Sequence, residues 1–326
     1  MPHSFRRRAQ RALMSILGIV SVVAVAGCAV STPGDTGPGG DAEDGPVIGL
    51  VIQNAQFFFQ GIQDEIEALA SAGGGQVIVT NINDDSAQLA QAMQTYAQRG
   101  VDVVLVPALS GDSDMTAVQS TVDAGIPVVC YNQCIGDASE DIVSAFIRSD
   151  GTSLGTTTGE AAAEYIESEL GGTASIALLN CDIYVECQLR KAGFKEALEG
   201  LDVTYVADQE GFLADKAVGV AQDILTAHPD VDMIWAVNEG GTVGARSAIA
   251  ASDNVGKTVV FGTDISPQIT EFLTTDDGIL LATTGQDTKA IAKAAYDAGL
   301  TAIGGEKSDP FDVLVPGVLF TPDRPE

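Results

Sequence analysis

Short apolar runs alternate with segments of helical periodicity along most of this 326-residue chain. The first run, Val47–Ile52, contains no polar side chain, which is typical of a strand buried on both faces of a parallel sheet. Apolar residues at helical spacing follow over Phe58–Ser71, and the same alternation continues to Ile303. The sequence therefore predicts an α/β fold with parallel strands and helices on both faces of the sheet.

The number of these strand–helix units indicates more than one sheet. A single sheet would need more strands than sheets usually contain. Two doubly wound lobes accommodate the same elements, and the chain length also suits two domains. The polar break at Ser149, Asp150 and Gly151 is the expected first passage from one lobe to the other.

The amino end has the pattern of a secreted lipoprotein. In residues 1–27, four arginines precede an apolar run that is too short to cross a membrane. The run ends on Val25-Ala26-Gly27-Cys28, which resembles a bacterial lipobox, so we expect Cys28 to be the lipidated first residue. The alternative is an ordinary signal peptide with an incidental cysteine. Residues 28–45 are rich in Gly, Pro and acids and predict a flexible tether.

The chain is strongly acidic. Its formal charge is −29, from 16 basic and 45 acidic residues. Cleavage before Cys28 would remove four arginines and no acids, which leaves 12 basic residues and a charge of −33. Such a surface repels nucleic acid and anionic lipid headgroups, so a nucleic-acid partner is not expected.

Histidine is too scarce for most catalytic arrangements. His3 would leave with the signal, and the remaining His228 precedes Pro229 at the end of a helical pattern. A surface position at a helix end explains it better than a catalytic triad. No cluster of metal ligands is present in the sequence, and we predict neither a metal, a cofactor nor an enzyme activity.

Four cysteines remain after Cys28, and they allow three complete pairings. They are Cys130, Cys134, Cys181 and Cys187. Pairing within each close pair would close two short loops, whereas bonds between the pairs could join the lobes. Free buried thiols are a further alternative, above all at Cys130 inside an apolar strand.

Polar side chains follow six of the predicted strands at the point where each strand ends. Any one of them could be a turn former or a helix cap. Their recurrence instead favours a binding site, because ligands of α/β sheets sit beyond the carboxyl ends of the strands. Amides and a carboxylate suit a neutral, hydroxyl-rich ligand. The residues are Gln53, Asn54, Asn132, Gln133, Asn180, Asn238, Glu239, Thr263, Asp264 and Gln286.

Several short motifs occur in a characteristic order: Ile48-Gly-Leu-Val before Phe58-Phe59, Gly125-Ile-Pro-Val-Val, Ser149-Asp150, Gly193-Phe194, Leu225-Thr-Ala-His-Pro-Asp, Asn238 before Gly244-Ala245, and Gly262-Thr-Asp264. From about Val47 to Val318 the chain thereby resembles the ribose and galactose type of periplasmic substrate-binding proteins that serve ABC importers. The resemblance implies two Rossmann-like lobes joined by a three-strand hinge, with the ligand cleft between them. The amino-terminal lobe would comprise 46–149 plus 287–312, and the carboxyl-terminal lobe 150–286 plus 313–326.

The resemblance also implies a set of ligand contacts. Asn132 and Gln133 stand where many relatives have an Asp-Arg pair, and Gln188 stands where the ribose type has a second arginine. Without those guanidinium groups we expect a neutral sugar, a polyol or another small polar solute, rather than ribose or an anion. Phe57 stays undecided. The implied contacts are Asn54, Gln56, Phe58, Phe59, Asn132, Gln133, Gln188, Phe212, Asn238, Asp264 and Gln286.

Together these observations predict an extracytoplasmic solute-binding lipoprotein that delivers its ligand to an ABC permease and its ATPase. We expect it to be a monomer, anchored to the cell membrane through Cys28. The alternative function is a sensor lipoprotein that presents its ligand-bound state to a signalling receptor.

Overall fold

The computed structural model describes residues 45–109, 111–275 and 277–325. The predicted signal peptide, the lipidated Cys28 and the tether up to residue 44 lie outside these residues. Within them, the chain forms two six-stranded sheets with helices on both faces. This confirms the predicted fold class of two doubly wound α/β lobes.

The amino-terminal lobe is built on a fully parallel sheet. Its strand order is β11-β5-β4-β3-β1-β2. The strands are β1 (Val47–Ile52), β2 (Gln76–Asn81), β3 (Val103–Val106), β4 (Val128–Tyr131), β5 (Ala145–Ser149) and β11 (Asp312–Val315). The helices are α1 (Phe57–Ala72), α2 (Ser86–Arg99), α3 (Gly111–Asp123), the short α4 (Ser139–Ile142) and α10 (Thr288–Ile303).

The carboxyl-terminal lobe repeats this arrangement with one antiparallel edge strand. Its strand order is β12-β10-β9-β8-β6-β7, and only β12 runs antiparallel to its neighbour. The strands are β6 (Thr173–Asn180), β7 (Asp202–Glu210), β8 (Met233–Ala236), β9 (Val259–Thr263), β10 (Leu280–Gln286) and β12 (Gly317–Phe320). The helices are α5 (Gly151–Glu169), α6 (Val185–Ala197), α7 (Ala214–Ala227), α8 (Glu239–Ala250) and α9 (Pro267–Thr274).

The chain passes between the two sheets three times. It leaves β5 for α5 at Asp150, leaves β10 for α10 at Asp287, and leaves β11 for β12 at Pro316. The third passage differs from the expected boundary after residue 312. Residues 312–315 pair in parallel with β5, so they belong to the sheet of the amino-terminal lobe.

Each sheet has a hydrophobic core on both of its faces. In β1, Leu50 and Ile52 pack with α1 and α10, whereas Val51 packs on the opposite face among residues of α2 and β3. This explains why the strand has no polar position, since both faces of a parallel sheet are covered by helices. The end of β1 is therefore packed on both faces, and it carries the segment that leads into α1.

Helices α5 and α6 cross closely because glycines lie at their contact. A Cβ atom on Gly155 would stand 1.8 Å from the carbonyl oxygen of Arg190, and one on Gly193 would stand 2.2 Å from that of Thr152. No side chain fits at either distance. The crossing fixes the position of α6, which carries Arg190 and follows the loop after β6.

Among the residues that the structure describes, no helix combines the length and the apolar character that crossing a bilayer requires. The short α4 ends at Ile142, and β5 begins at Ala145.

Candidate functional site

Residues of both lobes line a cavity of about 1160 Å³ at the carboxyl ends of the strands. The amino-terminal lobe contributes Gln56, Phe57 and Phe58, which follow β1. The carboxyl-terminal lobe contributes Asp264 after β9 and Gln286 at the end of β10. The expected polar ends of strands thus meet aromatic side chains from the opposite lobe.

Asp264 is the most highly coordinated polar residue of this cavity. One carboxylate oxygen, Oδ2, accepts a hydrogen bond from the backbone N–H of Glu239 at 3.1 Å. The other, Oδ1, lies 3.5 Å from Nη1 of Arg190 and accepts from Nε2 of Gln286 at 3.4 Å. Its backbone has a φ of 74°, in the left-handed region that few residues other than Gly adopt. A residue with such a backbone conformation, whose carboxylate also accepts several hydrogen bonds, is a candidate for a functional position.

Arg190 is a site residue that the sequence did not reveal. Its side chain is largely buried, and Nη1 also donates to the carbonyl of Val237 at 3.0 Å. Its Nε is buried and has no hydrogen-bond partner among the described residues. The resemblance pointed to Gln188, so the guanidinium group expected to be missing is present two residues further along α6. The available signal was a basic residue in α6, in a chain with few basic residues.

Gln286 connects this carboxylate to the first passage between the lobes. Its Oε1 accepts from the hydroxyl of Ser149 at 2.7 Å, and its Nε2 donates to Asp264. Ser149 ends β5 and Gln286 ends β10, immediately before two of the three passages. The polar cluster therefore lies next to two of the passages between the lobes. A change in the angle between the lobes would alter the distances within this cluster.

The three phenylalanines after β1 have different surroundings. Phe57 is 54% exposed and lines the cavity, and Phe58 also lines it. Phe59 instead packs in the core of the amino-terminal lobe, with its ring centroid 5.0 Å from that of Phe58 and 6.4 Å from that of Tyr131. The expectation that Phe59 contacts ligand is corrected, because its position on α1 points towards the sheet and α10.

Two of the implied contact residues have structural hydrogen bonds. Asn238 caps α8 by accepting from the N–H of Gly241 at 3.0 Å, and its Nδ2 donates to the carbonyl of Phe212 at 3.1 Å. Asn54 accepts from the N–H of Gln56 at 3.0 Å and donates to Asp84. Both side chains shape the loops beside the cavity, and neither lines it.

The remaining implied contacts lie away from the cavity lining. Asn132 and Gln133 follow β4, and Asn132 has a φ of 61°. Gln188 is on α6, where its Nε2 donates to the carbonyl of Asp182 at 2.7 Å. Phe212 is half-buried before α7, and its ring packs against Tyr184. These four residues are not brought together with Asp264 in this arrangement of the lobes.

Both disulfides close short loops. Cys130 is bonded to Cys134 after β4, and Cys181 to Cys187 after β6, with Cα–Cα distances of 5.4 Å and 5.5 Å. Of the pairings that the sequence left open, the structure has the two within close pairs. One disulfide thus belongs to each lobe, and neither joins the two lobes.

Two buried tyrosines donate hydrogen bonds to the backbone of β1. The hydroxyl of Tyr96 donates to the carbonyl of Leu50 at 2.8 Å, and that of Tyr131 donates to the carbonyl of Val51 at 2.6 Å. Burial raises the pKa of Tyr96 to about 12 and raises the pKa of Tyr131 as well. Both hydroxyls therefore stay protonated and keep donating at neutral pH.

Across residues 45–109, 111–275 and 277–325, no group of three or more His, Cys, Asp or Glu side chains could hold a metal ion.

The family model of the periplasmic binding protein domain matches residues 48–307, which include most of both lobes and most of the residues that line the cavity. The chain belongs to the periplasmic binding protein family. This confirms the resemblance drawn from the sequence motifs. Membership of the family implies a binding protein that works outside the cytoplasm.

Two periplasmic binding proteins illustrate the relationship in sequence. The ABC transporter periplasmic-binding protein YphF of Escherichia coli K12 is 30% identical over 285 residues, which cover 86% of this chain and 87% of that protein. The ribose import binding protein RbsB of Bacillus subtilis 168 is 28% identical over 252 residues, which cover 77% of this chain and 79% of that protein.

Solved structures show the same fold. A periplasmic solute-binding protein of an ABC transporter from Actinobacillus succinogenes, with bound D-allose, has a TM-score of 0.74 and 23% identity, covering 86% of this chain and 99% of that chain. A solute-binding protein from Bacillus halodurans, with bound myo-inositol, has a TM-score of 0.69 and 24% identity, covering 87% and 97%.

Proposed function

We propose that this periplasmic binding protein captures a small neutral polar solute, a sugar or a polyol, in the cavity between its lobes. The observation that carries this proposal is a cavity of about 1160 Å³ that is lined by Asp264 and Gln286 of one lobe and by Phe57 and Phe58 of the other, with Arg190 paired to Asp264. A cavity of this size accommodates a monosaccharide together with water.

The balance of charge around the cavity favours a neutral ligand. Its lining includes the acids Glu239, Asp264 and Asp287 and the bases Lys289 and Arg324, and Arg190 lies behind Asp264. Three negative groups are thus accompanied by three positive groups. Such a lining attracts neither anions nor cations strongly, because the two signs offset each other at short range.

The chemistry of the individual groups favours hydroxyls on a partly apolar framework. The carboxylate of Asp264 accepts hydrogen bonds, and the amide of Gln286 both accepts and donates them. Phe57 and Phe58 offer apolar surfaces for C–H groups. We retain Gln56, Phe58, Asp264 and Gln286 as ligand contacts and add Phe57, while Arg190 supports the site by pairing with Asp264.

The residues on the rims of the cleft fit the same proposal if the lobes close. Asn132, Gln133, Gln188 and Phe212 lie on loops after strands of both sheets. Rotation of the lobes about the three passages would bring these loops towards a ligand held at Asp264. Asn54 and Asn238 would act by holding the loops in place.

The relatives support both the type of ligand and the partner. Their names and bound molecules include ribose, D-allose and myo-inositol, all of them neutral and rich in hydroxyls. We therefore propose delivery to an ABC import permease and its ATPase, from a monomer anchored through a lipid on Cys28. The sensor alternative receives no support from these relatives, and their names describe binding rather than catalysis.

The test is a binding panel on protein without the first 45 residues. We expect neutral sugars or cyclitols to raise the melting temperature, because a ligand that binds only the folded state stabilises it. Calorimetry would then give the affinity. A panel in which only amino acids, nucleosides or charged solutes respond would overturn the proposal.

Asp264→Ala should weaken binding of the active solute by roughly 30-fold or more, because it removes a buried acceptor and leaves Arg190 unpaired. Its matched control is Asp277→Ala, which breaks an ion pair with Arg246 in the same lobe but outside the cavity lining. Calorimetry on both variants, with melting curves to verify folding, checks the prediction. Equal affinity of Asp264→Ala and wild-type protein would remove Asp264 from the site.

A further inference from the structure

The loop between β6 and α6 presents three consecutive apolar side chains to solvent. Ile183, Tyr184 and Val185 are 64%, 55% and 68% exposed. The same loop is closed by the disulfide between Cys181 and Cys187. Among these side chains, the aromatic ring of Tyr184 is the one that can stack on a ligand.

Several interactions besides the disulfide hold this loop in one conformation. Lys191 forms an ion pair with Asp182, and it lies 3.1 Å from a carboxylate oxygen of Asp208. Burial by itself would lower the pKa of Lys191, but the hydrogen bonds to both acids outweigh it and raise this pKa. The N–H of Tyr184 also donates to the carbonyl of Cys181 at 2.9 Å. The loop is therefore organised before any ligand arrives, which reduces the entropy lost on binding.

Tyr184 is the member of the loop that is connected to the candidate site. Its ring packs edge-to-face on Phe212, with the centroids 5.9 Å apart and the planes at 89°. The carbonyl of Phe212 accepts from Asn238, and the next residue, Glu239, donates its N–H to Asp264. A short chain of contacts thus links the ring of Tyr184 to the central carboxylate.

The loop also faces the opposite lobe. Glu186, two residues after Tyr184, pairs with Arg148 of β5 at 3.1 Å. Arg148 belongs to the amino-terminal lobe, where it also pairs with Asp312 of β11 at 2.9 Å. The first turn of α6 therefore lies at the boundary between the lobes, and Tyr184 lies two residues from the ion pair that crosses this boundary.

We infer that Tyr184, held by the Cys181–Cys187 loop and supported by Phe212, is a ligand-binding residue of the carboxyl-terminal lobe. It provides an aromatic surface for the C–H face of a ring-shaped polyhydroxyl ligand when the lobes close on that ligand. The inference rests on the proposed function and narrows it: cyclic sugars and cyclitols are favoured over acyclic polyols, which have no flat C–H face.

The first test compares variants at two neighbouring positions by calorimetry with myo-inositol, D-allose, D-ribose and D-mannitol. We expect wild-type protein to bind at least one of the three cyclic solutes more tightly than D-mannitol. Tyr184→Leu should weaken that binding about tenfold, as expected for loss of an aromatic contact, whereas Tyr184→Phe keeps it. Ile183→Ala, which removes a similarly exposed side chain of the same loop, should leave the affinity unchanged.

The outcomes separate this inference from the proposed function. If wild-type protein binds a cyclic solute and Tyr184→Leu binds it equally well, the inference is wrong and the proposed function stands. Equal losses in Tyr184→Leu and Ile183→Ala would also overturn it, because they would point to a general effect of the apolar loop. If wild-type protein binds none of the four solutes nor any other neutral sugar or cyclitol, both proposals fail.

The second test asks whether the disulfide acts by positioning Tyr184. Replacing Cys181 and Cys187 by serine should weaken binding of the same solute several-fold. Adding Tyr184→Leu to that variant should weaken it little further, because the ring is already displaced. Losses that multiply independently would show that the disulfide does not act through Tyr184. Melting curves establish that each variant is folded.

Discussion

Three adjacent phenylalanines at the start of α1 divide between two roles in the structure. Phe57 and Phe58 line the cavity, and Phe59 lies in the core between α1 and Tyr131. The difference follows from helix geometry, since each residue turns the side chain by about 100° around the axis. Substitution of Phe59 should therefore mainly lower the stability of the protein, whereas the same substitution of Phe57 should mainly lower its affinity for ligand.

Phe59→Ala should lower the free energy of unfolding by about 3–5 kcal/mol, as expected for truncating a buried aromatic ring. Phe57→Ala should change it by less than about 1 kcal/mol, because that ring is more than half exposed. The affinity for the active solute should fall about tenfold in Phe57→Ala. Urea unfolding and calorimetry measure the two quantities. Similar unfolding midpoints for the two variants would contradict this assignment.

The sequence predicted part of this site and missed another part for identifiable reasons. Polar residues at strand ends correctly indicated Asp264 and Gln286 as neighbours, because the carboxyl ends of parallel strands meet at one edge. The pattern could not set the rotation of α1, so Phe59 was taken for a cleft residue. Arg190 was missed because its position depends on how α6 crosses α5, which residue spacing does not specify.

The crossing of α5 and α6 determines the carboxyl-terminal half of the site. Gly155 of α5 lies against the backbone of Arg190, and Gly193 of α6 lies against the backbone of Thr152. Backbone contact at these points places Arg190 beside Asp264 and positions the disulfide loop at the start of α6. Packing between two helices thus controls both the residue that pairs with Asp264 and the loop that carries Tyr184.

Gly155→Ala should lower the free energy of unfolding by roughly 3 kcal/mol, because the added methyl group would stand 1.8 Å from the carbonyl oxygen of Arg190. Affinity for the solute should fall as well, since α6 must move away. Gly219→Ala is the control: this glycine of α7 has no atom within 4 Å of the added Cβ, so the variant should be roughly 0.5–1 kcal/mol more stable. Urea unfolding checks both. A stable Gly155→Ala with wild-type affinity would show that the helices separate easily.

Among the elements, the long helices and most of the strands were predictable, whereas the edge strands β11 and β12 were not. The apolar run of β1 and the periodicity of α1 are strong patterns of the kind that burial on a sheet imposes. The four-residue strands β11 and β12 are too short and too exposed to show such a pattern. Their pairing, which moves the third passage to Pro316, depends on the sheet edges already formed by β5 and β10.

The net charge of the whole molecule is strongly negative, whereas the charges around the cavity offset each other. The chain has 45 acidic and 16 basic residues, and the mature form would have a charge of −33. Repulsion among so many like charges opposes the compact state. Around the cavity, acids and bases are equal in number once Arg190 is included. Salt should therefore act differently on folding and on ligand binding.

The melting temperature should rise by several degrees when NaCl is increased from 10 to 150 mM. Over this range the screening length falls from about 30 Å to about 8 Å, which suppresses repulsion between distant carboxylates. The affinity for a neutral cyclic solute should change by less than about twofold, because no net charge is transferred into the cavity and the Asp264–Arg190 pair is screened little when largely buried. Scanning calorimetry and isothermal calorimetry in the same buffers measure both effects. A melting temperature that falls with salt would mean that ion pairs, such as those of Arg148 with Glu186 and Asp312, outweigh the repulsion. A strongly salt-dependent affinity would indicate a charged ligand.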